Sequence, residues 1–182
     1  METTEKIVEA YCRYIRHFFT LPNIRCGGQH EIDLLAVDPV EGHIPSRYHI
    51  ECGVSISGAF SKLTAKDFSP ERYLTRVGQP GQRRTLGYFL NRKFTSPDVL
   101  KTLAEYGFQR GNYQRVIVSW GFAKDVSPLA VAGGVELWDF RKLLREIAEN
   151  FHNRNSYFTD DTLRTLQLFS KAASEHSSDS GK

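Results

Sequence analysis

Apolar positions recur at helical spacing near the start of the chain, over residues 3–19. The residues on this apolar side are Ile7, Val8, Tyr11, Ile15 and Phe18. Charged side chains, among them Glu5, Glu9 and Arg13, fall on the opposite side. Pro22 prevents a simple continuation of such a helix. The pattern therefore predicts an amphipathic helix that covers a hydrophobic core.

Two strands are predicted next along the chain. Residues 30–37 carry apolar groups on both strand faces, with Asp33 embedded among them, which is typical of a largely buried strand. Residues 47–57 instead alternate strictly. The apolar face of that strand is Tyr48, Ile50, Cys52, Val54 and Ile56, and the polar face is His49, Glu51, Gly53, Ser55 and Ser57.

The remaining patterns predict helices and two further strands. Residues 59–108 are expected to be helical with breaks, including a helix from Pro97 to Tyr106, and residues 115–120 and 135–138 are expected to be strands. Helices are predicted to about residue 151 and over residues 159–173. This order indicates an α/β fold with helices flanking a small mixed β-sheet. We expect one domain over residues 1–172 and a disordered polar tail over residues 173–182.

Composition narrows the protein class without identifying a partner. The 182 residues include 24 basic and 21 acidic side chains, a net charge of +3, with 40% hydrophobic residues. These are globular values, so collagen-like, coiled-coil and disordered proteins are unlikely classes. No apolar run reaches the ~18 residues of a membrane helix, and no signal-peptide layout is present, so we expect no membrane association. Three widely spaced cysteines argue against a zinc site and favour the reducing cytoplasm.

Two acidic residues are the strongest candidates for chemistry. Asp33 lies within an apolar strand, and Glu51 lies on the polar face of the next strand. A carboxylate in such a position is costly unless it is paired, hydrogen-bonded or bound to a cation. Two carboxylates brought together favour a hard divalent ion, Mg²⁺ or Mn²⁺, which can activate water for phosphodiester hydrolysis. The alternative is that each acid pairs with a nearby arginine or caps a loop.

The order of these motifs resembles the PD-(D/E)xK nuclease superfamily, which has the restriction-endonuclease-like fold. The segments that carry the resemblance are the helix bearing Glu9, the strand EIDLLAV at residues 31–37, YHIECGVS at 48–55, VIVSWG at 116–121 and GVELWD at 134–139. They are most similar to Holliday-junction resolvases and to the catalytic domains of type IV restriction enzymes. The resemblance covers roughly residues 5–150 and implies a metal-dependent nuclease that acts on DNA.

The resemblance assigns roles to individual residues and also exposes a departure. It implies that Asp33 and Glu51 are metal ligands and that Glu9 is the helix carboxylate at the same centre. Gly53 stands where the family has its catalytic lysine. Lys62 is our candidate for a displaced lysine, because a long Lys side chain can enter a pocket from a neighbouring element. The alternative is a catalytically inactive module that binds nucleic acid or a partner protein.

A basic stretch with interleaved aromatic residues follows in the middle of the chain. Its members are Arg72, Arg76, Arg83, Arg84, Arg92 and Lys93. We predict that these side chains contact DNA phosphates, since Lys and Arg supply the salt-sensitive part of nucleic-acid affinity. A solvated helix face is the alternative interpretation. His49 shares a strand face with Glu51, where a hydrogen-bonded histidine outside the chemistry is expected. A homodimer or a partner protein is also compatible with the sequence.

Overall fold

Five strands form the central sheet of the computed structural model, which describes residues 2–39, 45–152 and 157–179. The strands of the chain are β1 (Phe19–Arg25), β2 (Glu31–Asp38), β3 (Ser46–Gly53), β4 (Lys62–Leu63), β5 (Gln114–Ser119), β6 (Gly121–Phe122) and β7 (Val135–Asp139). The sheet order is β1-β2-β3-β5-β7, antiparallel from β1 to β3 and parallel from β3 to β7. Strands β4 and β6 form a separate parallel pair. The predicted small mixed sheet is confirmed.

Helices cover both faces of this sheet. They are α1 (Thr3–Tyr14), α2 (Pro70–Tyr73), α3 (Gln79–Gln82), α4 (Leu86–Tyr88), α5 (Pro97–Glu105), α6 (Val126–Ala132), α7 (Phe140–His152) and α8 (Asp161–Asp179). A 3₁₀ turn spans Gly58–Phe60, and a π-helical turn, Phe89–Phe94, continues directly from α4. Within the described parts of the chain, no helix is both long and apolar enough to span a membrane.

The two faces of the sheet pack against different parts of the chain. On one face, even-numbered residues of β3 such as Ile50 join α1 and α7 in the main apolar cluster, which includes Val8 and Ile147. On the other face, Ile117 packs with Phe89 and other residues of the middle segment. Because side chains alternate along a strand, the odd-numbered residues of β3 face this second layer. The predicted division into two faces is therefore confirmed as far as Gly53, where β3 ends. Beyond it the prediction was wrong, since Ile56 lies outside the strand and is 76% exposed.

The first strand is absent from the sequence prediction. Helix α1 ends at Tyr14, short of the predicted end at residue 19, and Phe19 begins the edge strand β1 instead. His17 adopts a positive φ of 58° between the two elements, which turns the chain out of the helix. Pro22 lies within β1, and an edge strand tolerates proline because one side of it needs no ladder hydrogen bonds.

The end of the chain also differs from the prediction. The last helix was expected over residues 159–173, whereas α8 spans Asp161–Asp179. Polar residues such as Ser and His do not stop a helix that is already nucleated, because each added residue gains one hydrogen bond. Residues 180–182 lie outside the described residues.

Candidate active site

Neighbouring antiparallel strands bring Asp33 and Glu51 together. Leu34 pairs with Ile50 in the register of β2 and β3, so the two acids are at the next facing position. The side chain of Asp33 is 10% exposed and that of Glu51 is fully buried. Asp33 Oδ2 accepts a hydrogen bond of 2.7 Å from the backbone N–H of Cys52. The two carboxylates therefore lie side by side near the end of β3, as the sequence predicts.

The cation at this pair is Lys93. Its Nζ lies 2.9 Å from Asp33 Oδ1 and 2.5 Å from Glu51 Oε2, and it also donates to the carbonyl oxygen of Glu31 at 2.9 Å. The side chain is 16% exposed. One buried ammonium therefore bridges two carboxylates that belong to different strands.

Lys93 belongs to the π-helical turn Phe89–Phe94, which positions its ammonium group beside Asp33 and Glu51. Phe89 and Phe94 are buried in this turn, one before and one after the lysine. Phe89 lies over Gly53, where an added Cβ atom would come within 2.6 Å of the Phe89 ring. A lysine at position 53 is therefore incompatible with this packing, and the ammonium arrives from the turn instead. Single π-helical turns are frequent at functional sites.

Lys62 does not make the contact that we predicted for it. It is exposed on β4, where it pairs in register with Gly121 of β6. Among the described residues, Lys62 forms no ion pair with Asp33 or Glu51. The displaced-lysine hypothesis therefore fits Lys93 and not Lys62.

The helix carboxylate at the cleft is Glu5, not Glu9. Glu9 accepts a hydrogen bond from the Thr20 hydroxyl at 3.0 Å and faces Arg13, in a separate cleft with residues of the α8 end. Glu5, one helical turn earlier, lines the cleft of Asp33. The pKa of Glu5 is raised by burial and, to a smaller extent, by the charge of Asp33. The helical pattern alone cannot tell which of these two neighbours lies at the acid end of the sheet.

Burial and the neighbouring charges together set the protonation of Asp33, Glu51 and Lys93. Burial first, and then repulsion by Glu51, raises the pKa of Asp33 to about 7. Burial likewise raises the pKa of Glu51 to about 7. Burial disfavours the charged form of Lys93, but the two carboxylates outweigh it and raise its pKa. Near neutral pH the lysine is therefore charged, and the two coupled acids together retain a proton that a divalent cation can displace.

His49 holds the other side of Glu51. Its Nε2 lies 2.7 Å from Glu51 Oε1, and its ring meets Phe94 edge-on at a centroid distance of 4.9 Å. Burial, with a further contribution from Lys93, lowers the pKa of His49 to about 3, so the ring is neutral. When Glu51 is ionised, the neutral ring carries its proton on Nε2 and donates it to Glu51 Oε1. His49 therefore fixes the orientation of Glu51, a closer role than we expected from the sequence.

The predicted basic residues divide into three groups. Arg83 and Arg84 line a cleft of about 190 Å³ together with Asp33 and Lys93. Arg92 lies over the Tyr73 ring at 5.2 Å, while Arg72 and Arg76 are exposed further out. Lys93 is corrected from a phosphate-contacting surface residue to the buried partner of the acids.

A sequence signal for Lys93 was available. Leu86, Phe89 and Lys93 fall at positions i, i+3 and i+7, which share one helix face. The first two are buried, so a lysine on an apolar stripe indicates a buried cation that needs an acid. In the sequence, this signal is hidden because Lys93 also belongs to the basic stretch that begins at Arg72.

The donor set is compatible with a divalent ion, although it is small. Among the described residues, no group of three or more His, Cys, Asp or Glu side chains is gathered as a metal site. Asp33 and Glu51 nevertheless offer hard carboxylate oxygens, and burial raises the pKa of both groups. Glu5 lines the same cleft without completing a group of three metal ligands in the described part of the chain. The chemistry of these groups therefore fits Mg²⁺ or Mn²⁺.

Comparisons of the chain with protein-family models, with curated proteins and with solved structures find no match. The resemblance to PD-(D/E)xK nucleases therefore depends on the short motifs alone. The geometry described above gives an independent basis for a functional proposal.

Proposed function

We propose that this chain is a metal-dependent nuclease that hydrolyses DNA phosphodiester bonds, with a restriction-endonuclease-like core. The observation that carries the proposal is the ammonium of Lys93, 2.9 Å and 2.5 Å from the carboxylates of Asp33 and Glu51. Buried ion pairs are poor stabilisers of a fold, since desolvation offsets their attraction. A buried acid–acid–lysine set at a basic cleft is therefore better explained by chemistry than by stability.

Each residue has a distinct role in this proposal. Asp33 and Glu51 would hold Mg²⁺ or Mn²⁺, which supplies Lewis-acid activation of water and of the phosphate. Lys93 keeps its proton near neutral pH, orients the attacking water and offsets negative charge on the phosphate. Arg83 and Arg84 bind the DNA backbone at the cleft mouth.

The second candidate is a catalytically inactive module that binds nucleic acid or a partner protein. One observation favours it: all four carboxylate oxygens already face a donor within the protein. Those of Asp33 face Lys93 and the Cys52 N–H, and those of Glu51 face His49 and Lys93. Such a site is partly self-neutralised. A homodimer is a further possible partner arrangement under either candidate.

The decisive experiment compares two lysines in one cleavage assay. Wild type, Lys93→Met, Lys62→Met and Asp33→Asn are incubated with supercoiled, linear, branched and single-stranded DNA plus Mg²⁺ or Mn²⁺. We expect Lys93→Met to lower the cleavage rate by about 100-fold or more, since a positioned group of this type contributes about 10²–10⁴-fold. Lys62→Met serves as the matched control and should retain the wild-type rate.

Two outcomes decide against the enzyme. Wild type that cleaves no substrate, or Lys93→Met that cleaves as fast as wild type, rejects the catalytic role. Salt-sensitive DNA retention that survives Asp33→Asn, without any cleavage, supports the inactive module instead. Circular dichroism of each variant checks that the fold is intact.

We also propose a cytoplasmic location. Cys12, Cys26 and Cys52 are all free thiols. Free thiols persist in a reducing compartment, where disulfides are rare.

A further inference from the structure

The segment between β4 and α4 contains an arm that is closed at its base and exposed in its middle. We define the arm as residues 69–84, which contain α2 and α3. Its two ends are joined, because the Ser69 N–H donates to the Oε1 atom of the buried Gln82 at 2.7 Å. The arm therefore has a fixed base and presents its middle, residues 74–77, as a tip.

At the tip, two apolar side chains are exposed to solvent, and the polar side chain of Thr75 is hydrogen-bonded to the backbone of the turn. Leu74 is 84% exposed and Val77 is 91% exposed, the highest values for large apolar side chains in the described parts of the chain. The Thr75 hydroxyl donates to the Arg72 carbonyl at 2.8 Å and accepts from the Gly78 N–H at 3.0 Å. The turn is thus fixed by its own hydrogen bonds with Leu74 and Val77 in solvent. Covering exposed apolar side chains with a ligand removes them from water, which favours binding of that ligand.

The charge around the tip indicates which ligand covers it. Residues 68–93 carry six basic side chains and one acidic, a net charge of +5, whereas the rest of the chain carries 18 basic and 20 acidic. Among the described residues, no ion pair joins a carboxylate to any arginine of this segment. Those arginines are Arg72, Arg76, Arg83, Arg84 and Arg92. Unpaired guanidinium groups suit a polyanion with regularly spaced phosphates.

Aromatic packing connects the tip to the cleft. Tyr73, next to Leu74 in the chain, stacks on Tyr88 at a centroid distance of 5.6 Å. Tyr88 lines the cleft that contains Lys93. Arg83 and Arg92 both lie over the Tyr73 ring, at 5.9 Å and 5.2 Å. The tip is therefore held beside the cleft by stacked rings.

We propose that the tip is a wedge that enters an opened base step of duplex DNA. Leu74 and Val77 insert between adjacent bases, and Arg72 and Arg76 hold the phosphates on either side. Apolar wedges of this kind unstack a step at a cost of a few kcal/mol, so DNA that is nicked, mismatched or branched accepts the wedge most easily. This inference rests on the proposed function insofar as DNA is the ligand, and it names the substrate class.

The test measures base unstacking without cleavage. Full-length protein is titrated in EDTA, at several salt concentrations, with a fully paired duplex and with the same duplex carrying one mismatch, each labelled with 2-aminopurine at the central step. We expect wild type to increase the 2-aminopurine fluorescence and to bind the mismatched duplex about tenfold more tightly. Leu74→Ser/Val77→Ser should abolish both effects and keep salt-sensitive binding. Arg72→Gln/Arg76→Gln should weaken binding to both duplexes and reduce its salt dependence.

A matched control uses Leu129→Ser/Val131→Ser on α6, where both residues are also exposed and no charged residue lies within the helix. This variant should behave as wild type. Unchanged fluorescence and preference in Leu74→Ser/Val77→Ser would overturn the wedge, even if wild type cleaves DNA. A change of oligomeric state in that variant, measured by light scattering, would overturn it in favour of a protein interface. Base opening without cleavage under any condition would support the wedge while rejecting the nuclease.

Discussion

The two faces of strand β3 bury neighbouring residues for opposite reasons. Ile50 and Glu51 are both completely buried. Ile50 lies in the apolar cluster formed with α1 and α7, where burial itself is favourable. Glu51 lies among His49, Asp33 and Lys93, where burial raises its pKa and costs free energy. Burial on the apolar face therefore stabilises the sheet. Burial on the acid face is unfavourable, and the favourable contribution of the apolar face offsets it.

This difference predicts separate consequences for substitutions on the two faces. Changes on the apolar face should alter stability without altering its dependence on pH. Changes on the acid face should alter pH dependence and activity more than stability at a single pH. The three predictions below test that separation.

The largest stability change is expected on the apolar face, from Ile50→Ala. The substitution leaves a cavity at a site with no exposed surface. We expect the free energy of unfolding, measured by urea denaturation, to fall by about 2–5 kcal/mol. The loss should be the same at pH 5 and pH 8, because no ionisable group is removed. A loss that varies strongly with pH would show that the two faces are coupled.

An intermediate effect is expected on the acid face, from Asp33→Asn. The pKa of Asp33 is raised from 3.8 to about 7, so the folded protein holds this proton more tightly than the unfolded chain. Its contribution to stability is complete below about pH 4 and is lost as the pH rises through about 7. Between pH 5 and pH 8 the wild type should therefore lose more stability than Asp33→Asn.

His49 contributes in the opposite direction in both proteins. Its pKa is lowered to about 3, so its contribution increases as the pH rises to about 6.5, and it largely cancels in the comparison. Asp38→Asn, at the opposite end of β2, is the matched control. Parallel stability–pH curves for wild type and Asp33→Asn would contradict the raised pKa.

The smallest change in structure is Gly53→Ala, at the boundary between the sheet and the π-helical turn. The new Cβ would lie 2.6 Å from the Phe89 ring, which must move. We expect a loss of about 1–3 kcal/mol, typical of an overpacked core. Cleavage should fall as well, since Phe89 and Lys93 belong to the same turn. The double variant Gly53→Ala/Phe89→Leu should regain stability; if it does not, the contact with Phe89 is not the cause.

Sequence patterns predicted the sheet and the acids better than the lysine. The alternation in β3 is a local property, so the faces of Ile50 and Glu51 could be read directly. The position of Lys93 depends on contacts across sixty residues, and no local spacing specifies them. Glu5 and Glu9 illustrate the same limit. They share one helix side, and only the tilt of α1 against the sheet decides which of them meets Asp33.

The predicted end of helix α1 was also wrong, because the apolar spacing continues past the residue where the helix stops. Phe18 continues the helical apolar period, yet the positive φ of His17 ends the helix before it. Residues 19–25 then gain hydrogen bonds from β2, a partner further along the chain. The tertiary pairing outweighs the helical pattern at this point.

The arrival of Lys93 from the π-helical turn has a consequence for the newly made protein. We expect β2 and β3 to bring Asp33 and Glu51 together early in folding, because the contact spans few residues. The ammonium joins them only after the long segment from β3 to α5 has closed on the sheet. A partly folded or truncated chain therefore carries the acids without the lysine. If the chain cleaves DNA, it gains that reactivity only on completion of folding, and an unfinished copy is harmless to the DNA around it.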